Sequence, residues 1–94
     1  VESNPISPPS PLISSLEDQH KFLQEAVKLA DAGLFEESMQ MCMQLMHQYG
    51  VNPEIYYLLG LIHQAMECPD KAEDFFQKAV YLKPSYYEAL VCLA

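Results

Sequence analysis

Two cysteines and two histidines are the residues of this 94-residue chain that could build a metal site: Cys42, His47, His63 and Cys68. Zinc sites made from these residue types usually contain ligand pairs with short, regular spacing, such as Cys-x2-Cys or His-x3-His. No cysteine pair and no histidine pair here has that spacing. The sequence therefore predicts no metal site, and it favours core or helix-surface positions for all four residues.

A cysteine nucleophile is the second chemistry to consider, because Cys42 could in principle pair with a histidine. Such a pair needs a thiolate that is stabilised in a polar cleft. Cys42 instead lies in an apolar, methionine-rich stripe between Met39 and Met46. The three glycines are isolated, so no glycine-rich turn is present that could hold a nucleotide or S-adenosylmethionine. We expect neither catalytic residues nor a cofactor in this chain.

The charge of the chain argues against two classes of partner. The formal net charge is −8, and the five cationic side chains are all lysine. The positive surface that binds nucleic acid phosphates is therefore missing. An anionic membrane would be repelled for the same reason, and no apolar run approaches the roughly 20 residues that span a bilayer. We expect neither nucleic acid nor membrane insertion.

The three cysteines, Cys42, Cys68 and Cys92, are widely spaced and stand in apolar surroundings. This pattern is typical of buried reduced thiols rather than of a disulfide framework. Because reduced thiols persist in the cytosol, the sequence predicts a cytoplasmic protein.

Prolines, glycines and capping residues divide the chain into a linker and helices. Residues 1–13 contain four prolines among serines, which predicts an extended linker before a domain at 14–94. A capping box at 14–17 and the pair Asn52-Pro53 predict helix starts, whereas Gly33 and Gly50 predict helix ends. The expected helices span about 16–32, 35–49, 53–66, 69 to before 84, and a fifth from a capping box at 85–88. No segment alternates with strand period, so the predicted class is all-α.

The helical pattern recurs at an offset of 34 residues. At this offset Ala26 pairs with Gly60 and Glu54 pairs with Glu88, and the predicted helix boundaries coincide. A period of 34 with two helices per unit is the signature of the tetratricopeptide repeat, in which antiparallel helix pairs stack into a solenoid.

One unit resembles the tetratricopeptide repeat closely. Eight residues occupy the motif positions of its two helices: Tyr56, Leu59, Gly60, His63, Ala72, Phe76, Ala79 and Pro84. Only tyrosine for tryptophan at the first of these positions and histidine for tyrosine at the fourth depart from the pattern. Gly60 and Ala72 are small enough for two helices to approach closely, and Phe76 fills the space between units. The resemblance implies a short right-handed solenoid with repeats at about 16–50 and 53–84 and the start of a third at 85–94.

The preceding unit follows the same pattern less closely. Ala26 and Ser38 keep the small side chains where two helices cross. The next unit has large Phe76 followed by small Ala79, whereas this unit has small Cys42 followed by large Leu45. The exchange roughly conserves the volume of the pair. Glu25 departs from the pattern, and we expect it to face solvent.

The first helices of such repeats line an inner groove, so the resemblance places a candidate binding site there. The expected lining is His20, Leu23, Val27, Asp31, Glu54, Tyr57, Leu61 and Gln64. The middle of this set is apolar, which favours an apolar or amphipathic helix of another protein as the ligand. Family members that clamp a terminal carboxylate use lysine, arginine and asparagine at these places, and none of the eight expected lining residues is of those types.

Four segments resemble the repeat tails that follow the catalytic domain of some bacterial chemoreceptor methyltransferases. They are residues 29–37, 57–62, 79–84 and 88–90, the first reading Leu-Ala-Asp-Ala-Gly-Leu-Phe-Glu-Glu. The resemblance implies a parent enzyme that transfers a methyl group from S-adenosylmethionine to receptor glutamates, with this chain as a non-catalytic interaction module. The alternative is a spacer or adaptor of another cytosolic signalling or assembly protein without a methyltransferase.

The two ends of the chain indicate a fragment. No initiator methionine is present, and the sequence stops at Ala94 within an apolar helical pattern, which predicts a piece of a longer protein.

The last predicted helix has four apolar or aromatic side chains and no following helix to cover them: Tyr87, Leu90, Val91 and Leu93. Because neighbouring repeats normally bury one another, we expect self-association through this end at high concentration.

Overall fold

A computed structural model describes residues 11–93, in which every regular element is an α-helix. The five helices are α1 (Pro11–Asp31), α2 (Phe35–Tyr49), α3 (Pro53–Ala65), α4 (Pro69–Leu82) and α5 (Tyr87–Leu93). The most extensive contacts join α3 to α4 and α1 to α2, while α5 packs against α4 and α2 touches α3. The predicted all-α class with stacked helix pairs is confirmed.

The first helix begins earlier than the sequence predicted. The expected start was the capping box at 14–17, but α1 already includes Pro11. A proline at the first helical position loses no hydrogen bond, and its fixed φ suits a helix. Residues 11–13 are therefore helical rather than linker, and the rest of the predicted linker, 1–10, lies outside the described residues.

The fifth helix begins later than the capping box at 85–88 predicted. The N–H of Tyr86 first closes a turn onto the Lys83 carbonyl at 3.0 Å. The Tyr86 carbonyl then accepts the N–H of Leu90 at 3.1 Å, and Tyr87 is the first helical residue. Ser85 lies inside the turn, so it precedes the cap position instead of occupying it.

The end of α1 is closed by two hydrogen bonds around Gly33. The Leu34 N–H donates to the Leu29 carbonyl at 2.9 Å, and the Gly33 N–H donates to the Ala30 carbonyl at 3.0 Å. This pair of bonds is the Schellman motif, which needs a residue with positive φ after the helix. Gly33 has φ 83°, as the sequence predicted.

The end of α3 repeats this motif. The Cys68 N–H donates to the His63 carbonyl at 2.8 Å, and the Glu67 N–H donates to the Gln64 carbonyl at 3.1 Å. Glu67 takes the place of glycine and has φ 61°. Each of the four residues stands 34 positions after its counterpart at the end of α1. The backbone therefore repeats with the period found in the sequence.

The core lies between the helix pairs and draws on the same repeat positions in each. Its largest fully buried side chains include Phe76, Ile55, Leu59 and Ile62. Among the described residues Ser38 is the only buried polar one, and its Oγ donates to the Ala26 carbonyl at 2.6 Å. Because this hydroxyl is hydrogen-bonded, α1 and α2 can cross closely without leaving a polar group unsatisfied.

Candidate functional site

A groove with a volume of about 730 Å³ runs between α1 and α3. The two helices form its walls, Phe35 of α2 contributes at one side, and Tyr86, just before α5, contributes at the end next to the third repeat. Both walls are the first helices of their repeats, so the groove lies on the face formed by these helices.

The two walls present the same repeat positions to the groove. Seven residues of α1 and six of α3 line it, and every member of the first set except Ala30 stands 34 positions before one of the second: His20, Leu23, Gln24, Val27, Lys28, Ala30 and Asp31; Glu54, Tyr57, Leu58, Leu61, Ile62 and Ala65. Residues three and four apart share one side of a helix. The lining therefore follows from the helical period and the repeat together.

The middle of the groove is apolar and accessible. Val27 is 39% exposed, and Leu23, Tyr57 and Leu61 are half-buried. Accessible apolar side chains on two facing helices suit contact with another apolar surface, and burying such surface is worth about 25 cal/mol per Å². The groove can hold a ligand by contact with these side chains.

Five of the six residues of the candidate groove set lie together at this site, and one does not. Leu23, Val27, Glu54, Tyr57 and Leu61 all line the groove. Gln64 is exposed and lines a separate, smaller pocket that includes residues of α4 and of α5. The sequence predicted Gln64 in the groove, whereas the structure places it in the pocket that also includes Cys92 and Leu93 of α5. His20 and Asp31 also line the groove.

Eight lining residues were missing from the sequence prediction: Gln24, Lys28, Ala30, Phe35, Leu58, Ile62, Ala65 and Tyr86. Five of those on the wall helices could have been found, because each stands three or four residues from a predicted lining position, as Lys28 does from Asp31. Phe35 and Tyr86 belong to α2 and to the turn before α5, outside the two wall helices. No spacing rule relates them to the walls, so only the packing of the helices reveals them.

Two tyrosines and two glutamates meet at the α5 end of the groove. The rings of Tyr57 and Tyr86 have centroids 5.2 Å apart with planes tilted by 44°. Burial, followed by the charges of Glu54 and Glu88 and the neighbouring Tyr57, raises the pKa of Tyr86 to about 12. Lys83 lies over the Tyr86 ring, with Nζ 5.2 Å from its centroid. We call Glu54, Tyr57, Tyr86 and Glu88 the tyrosine–glutamate corner.

The tetratricopeptide motif residues lie mostly inside the fold rather than in the groove. Five of the eight are buried: Leu59, Gly60, Ala72, Phe76 and Ala79. Tyr56 and His63 are half-buried and both stack on Phe75, with ring centroids 6.1 Å and 5.2 Å away. Pro84 is exposed in the turn before α5. These residues build the scaffold that holds the groove walls in place.

The candidate metal and nucleophile residues are not gathered at one place. Cys42 is buried in the core, and burial raises the pKa of its thiol to about 11, with a smaller opposing effect of the Ser38 hydroxyl. At neutral pH this thiol is protonated, so it is a poor nucleophile. His47 is exposed on α2, and Cys68 is the cap residue of α4.

Residues 11–93 contain no candidate metal cluster and no candidate membrane span. No three histidine, cysteine, aspartate or glutamate side chains in this part of the chain come close enough to hold a metal ion. None of the helices described here is long and apolar enough to cross a membrane.

Comparison with known proteins gives one family and two relatives. Residues 53–86 match the family model of the tetratricopeptide repeat. The chain is 37% identical over 70 residues to the probable biofilm formation methyltransferase WspC of Pseudomonas aeruginosa, which covers 74% of the chain and 17% of that protein. It is 35% identical over 80 residues to the protein of the same name from Pseudomonas putida, which covers 85% of the chain and 19% of that protein. The chain thus spans less than a fifth of the length of these curated relatives, and no solved structure matches it.

Proposed function

This chain belongs to the tetratricopeptide-repeat family, and on that premise we propose that it is a protein-binding module whose groove takes up an apolar or amphipathic helix of another protein. The observation that carries the proposal is the accessible apolar middle of the groove, where Leu23 and Val27 of α1 face the same site as Tyr57 and Leu61 of α3. Amphipathic helices bind apolar grooves by placing residues three and four apart into them.

We further propose that this module is the non-catalytic tail of a protein-glutamate methyltransferase of the chemotaxis type, acting in signal transduction. Two relatives that carry the matching segment are named methyltransferases, which supports this assignment. The parent would bind S-adenosylmethionine in another domain, and the tail would recruit or position the protein to be methylated. A cytoplasmic location fits the three free cysteines, Cys42, Cys68 and Cys92.

Binding by the groove can be tested with one labelled peptide. The peptide is a designed amphipathic helix of about 18 residues with a leucine stripe, and fluorescence anisotropy measures its binding to the 94-residue chain. Val27→Asp should weaken binding at least tenfold, because it places a charge in the apolar middle. Met43→Asp is the matched control, since Met43 is 54% exposed on α2 and lies outside the groove. Equal affinity for both variants, or no binding by the unaltered chain, would contradict the proposal.

The assignment to a methyltransferase is tested separately. Calorimetry with S-adenosylmethionine should give no binding heat for this chain, whereas the full-length parent should bind it and methylate glutamates of a receptor. Removing the repeats from the parent should impair methylation of its protein substrate more than binding of S-adenosylmethionine. A parent that methylates its substrate equally well without the repeats would favour a spacer instead.

A further inference from the structure

The charged residues around the groove are unevenly distributed. Glu54, in the first turn of α3, lines the groove, and Glu88 stands at the equivalent repeat position in the first turn of α5, two residues after the lining residue Tyr86. The equivalent position in α1 holds a histidine, His20, instead of a carboxylate. Negative charge at this repeat position therefore increases from the first repeat toward α5.

Neither of these two carboxylates is neutralised by an ion pair within the described residues. Two lysines lie at or near the groove, Lys28 on the α1 wall and Lys83 before α5. The Nζ of Lys28 lies 3.9 Å from Oε2 of Glu25, and the Nζ of Lys83 lies 5.2 Å from the centroid of the Tyr86 ring. Glu54 and Glu88 are both exposed, so their charges are available to a ligand.

Aromatic rings stand beside these carboxylates. Tyr57 and Tyr86 are half-buried at the end of the apolar stripe, their ring centroids are 5.2 Å apart, and Glu54 lines the groove with them. A lysine or arginine side chain can pack its methylene groups on such rings while its charged end meets a carboxylate. A neutral side chain could at most donate a weaker hydrogen bond to a carboxylate, and an acidic side chain would be repelled by it.

From this geometry we propose that the groove selects an amphipathic helix with a lysine or arginine at one end of its apolar stripe, and that the tyrosine–glutamate corner receives this cation. The proposal rests on the proposed function, because it adds charge selectivity to a groove that binds a helix. A second copy of this chain is a poor occupant of the groove, because its net charge of −8 has the same sign as the carboxylates of the corner.

Three peptides of about 18 residues with the same leucine stripe test the selectivity. Their residues flanking the stripe are lysine, glutamine or glutamate. The lysine peptide should bind the 94-residue chain about three- to tenfold more tightly than the glutamine peptide, and the glutamate peptide should bind most weakly. The preference should shrink as salt is raised from ~0.05 M to ~0.5 M, because exposed charges are then screened.

A charge-matched pair of variants separates the corner from the overall negative charge of the chain. Glu54→Gln with Glu88→Gln should remove most of the preference for lysine over glutamine. Glu36→Gln with Glu37→Gln removes the same charge from exposed positions at the start of α2, outside the groove, and should leave the preference unchanged.

The outcomes distinguish the two proposals. Equal binding of all three peptides, or equal loss of preference in the two double variants, overturns the proposed charge selectivity and leaves the helix-binding groove intact. Failure of every peptide to bind the unaltered chain overturns both. Loss of preference only in the Glu54 and Glu88 double variant supports both.

Discussion

Gly60 of α3 lies directly against the ring of Phe76 of α4. A Cβ atom on residue 60 would stand 2.5 Å from Cε1 and 2.6 Å from Cδ1 of that ring. Phe76 is 2% exposed, so its ring has little room to move away. The second repeat therefore depends on the absence of a side chain at position 60, and the close helix crossing inferred for the repeat motif has its physical cause here.

The substitution Gly60→Leu should destabilise the chain by about 1–3 kcal/mol or more, because the new side chain overlaps the Phe76 ring and forces the helices apart. Urea unfolding followed by circular dichroism measures the loss. Ala65→Leu is the control, since Ala65 is exposed on the same helix and should tolerate leucine. Equal midpoints for the two variants would show that the crossing is not as close as described.

The substitution Glu67→Gly should stabilise the chain by about 1 kcal/mol. Glu67 holds the positive φ of 61° that the Schellman motif at the end of α3 requires, and this conformation is costly for a residue with a side chain. The reverse test is Gly33→Ala at the equivalent position after α1, which should cost about 1–2 kcal/mol. Unfolding midpoints that move in the opposite directions would contradict the role of this motif.

The stability of the chain should fall as the pH drops below about 6.5, partly because of His63. Burial, and to a smaller extent the charge of Lys71, lower the pKa of His63 from its usual 6.5. The unfolded chain therefore binds this proton more readily than the folded chain. The stability contributed by neutral His63 is complete above pH 6.5 and is lost as the pH falls toward the lowered pKa.

The substitution His63→Phe should reduce this pH dependence while keeping the stacking on Phe75. It also removes Nδ1, which is buried without a hydrogen-bond partner within residues 11–93, so stability at pH 7 should not decrease. Thermal unfolding at several pH values measures the effect. If stability changes with pH in His63→Phe as steeply as in the unaltered chain, the pH dependence belongs to other groups.

Self-association through α5 is expected at high protein concentration. Tyr87 and Val91 are 71% and 73% exposed and lie on this last helix. Val91→Lys should shift the chain toward monomer in sedimentation equilibrium, whereas Tyr81→Lys, at an 86% exposed position on α4, should not. Added salt should strengthen the association, because it screens the repulsion between chains of net charge −8. A monomer at every concentration and salt level would contradict this expectation.

Much of the fold could be predicted because it depends on local chemistry. Asn52 caps α3 as expected, with its Oδ1 accepting the Glu54 N–H at 2.7 Å. Gly33 closes α1, and the bounds of α2 agree with the prediction. Glu25, which fitted no motif position, is exposed as expected, and its Oε2 lies 3.9 Å from Nζ of Lys28. Capping, positive φ and helical period act over a few residues, so they can be read without knowing the tertiary structure.

Much of the candidate groove could also be predicted from the sequence. Leu23 and Val27 on one wall and Tyr57 and Leu61 on the other follow from the period of the helix and from the offset of 34 residues. These two regularities decide which side of each first helix faces the groove, and both are properties of the sequence. The apolar nature of the site was therefore determined before any packing was known.

Only the tertiary structure decided how the ends of these elements are arranged. It placed Gln64 beside α5 instead of in the groove, and it brought the ring of Tyr86 to Tyr57 at the tyrosine–glutamate corner. Each of these features depends on where a helix from one repeat meets a segment of the next. Such contacts join residues distant in sequence, and local propensity and periodicity do not specify their geometry, so the corner that we propose as the charge-selective part of the groove was visible only after folding.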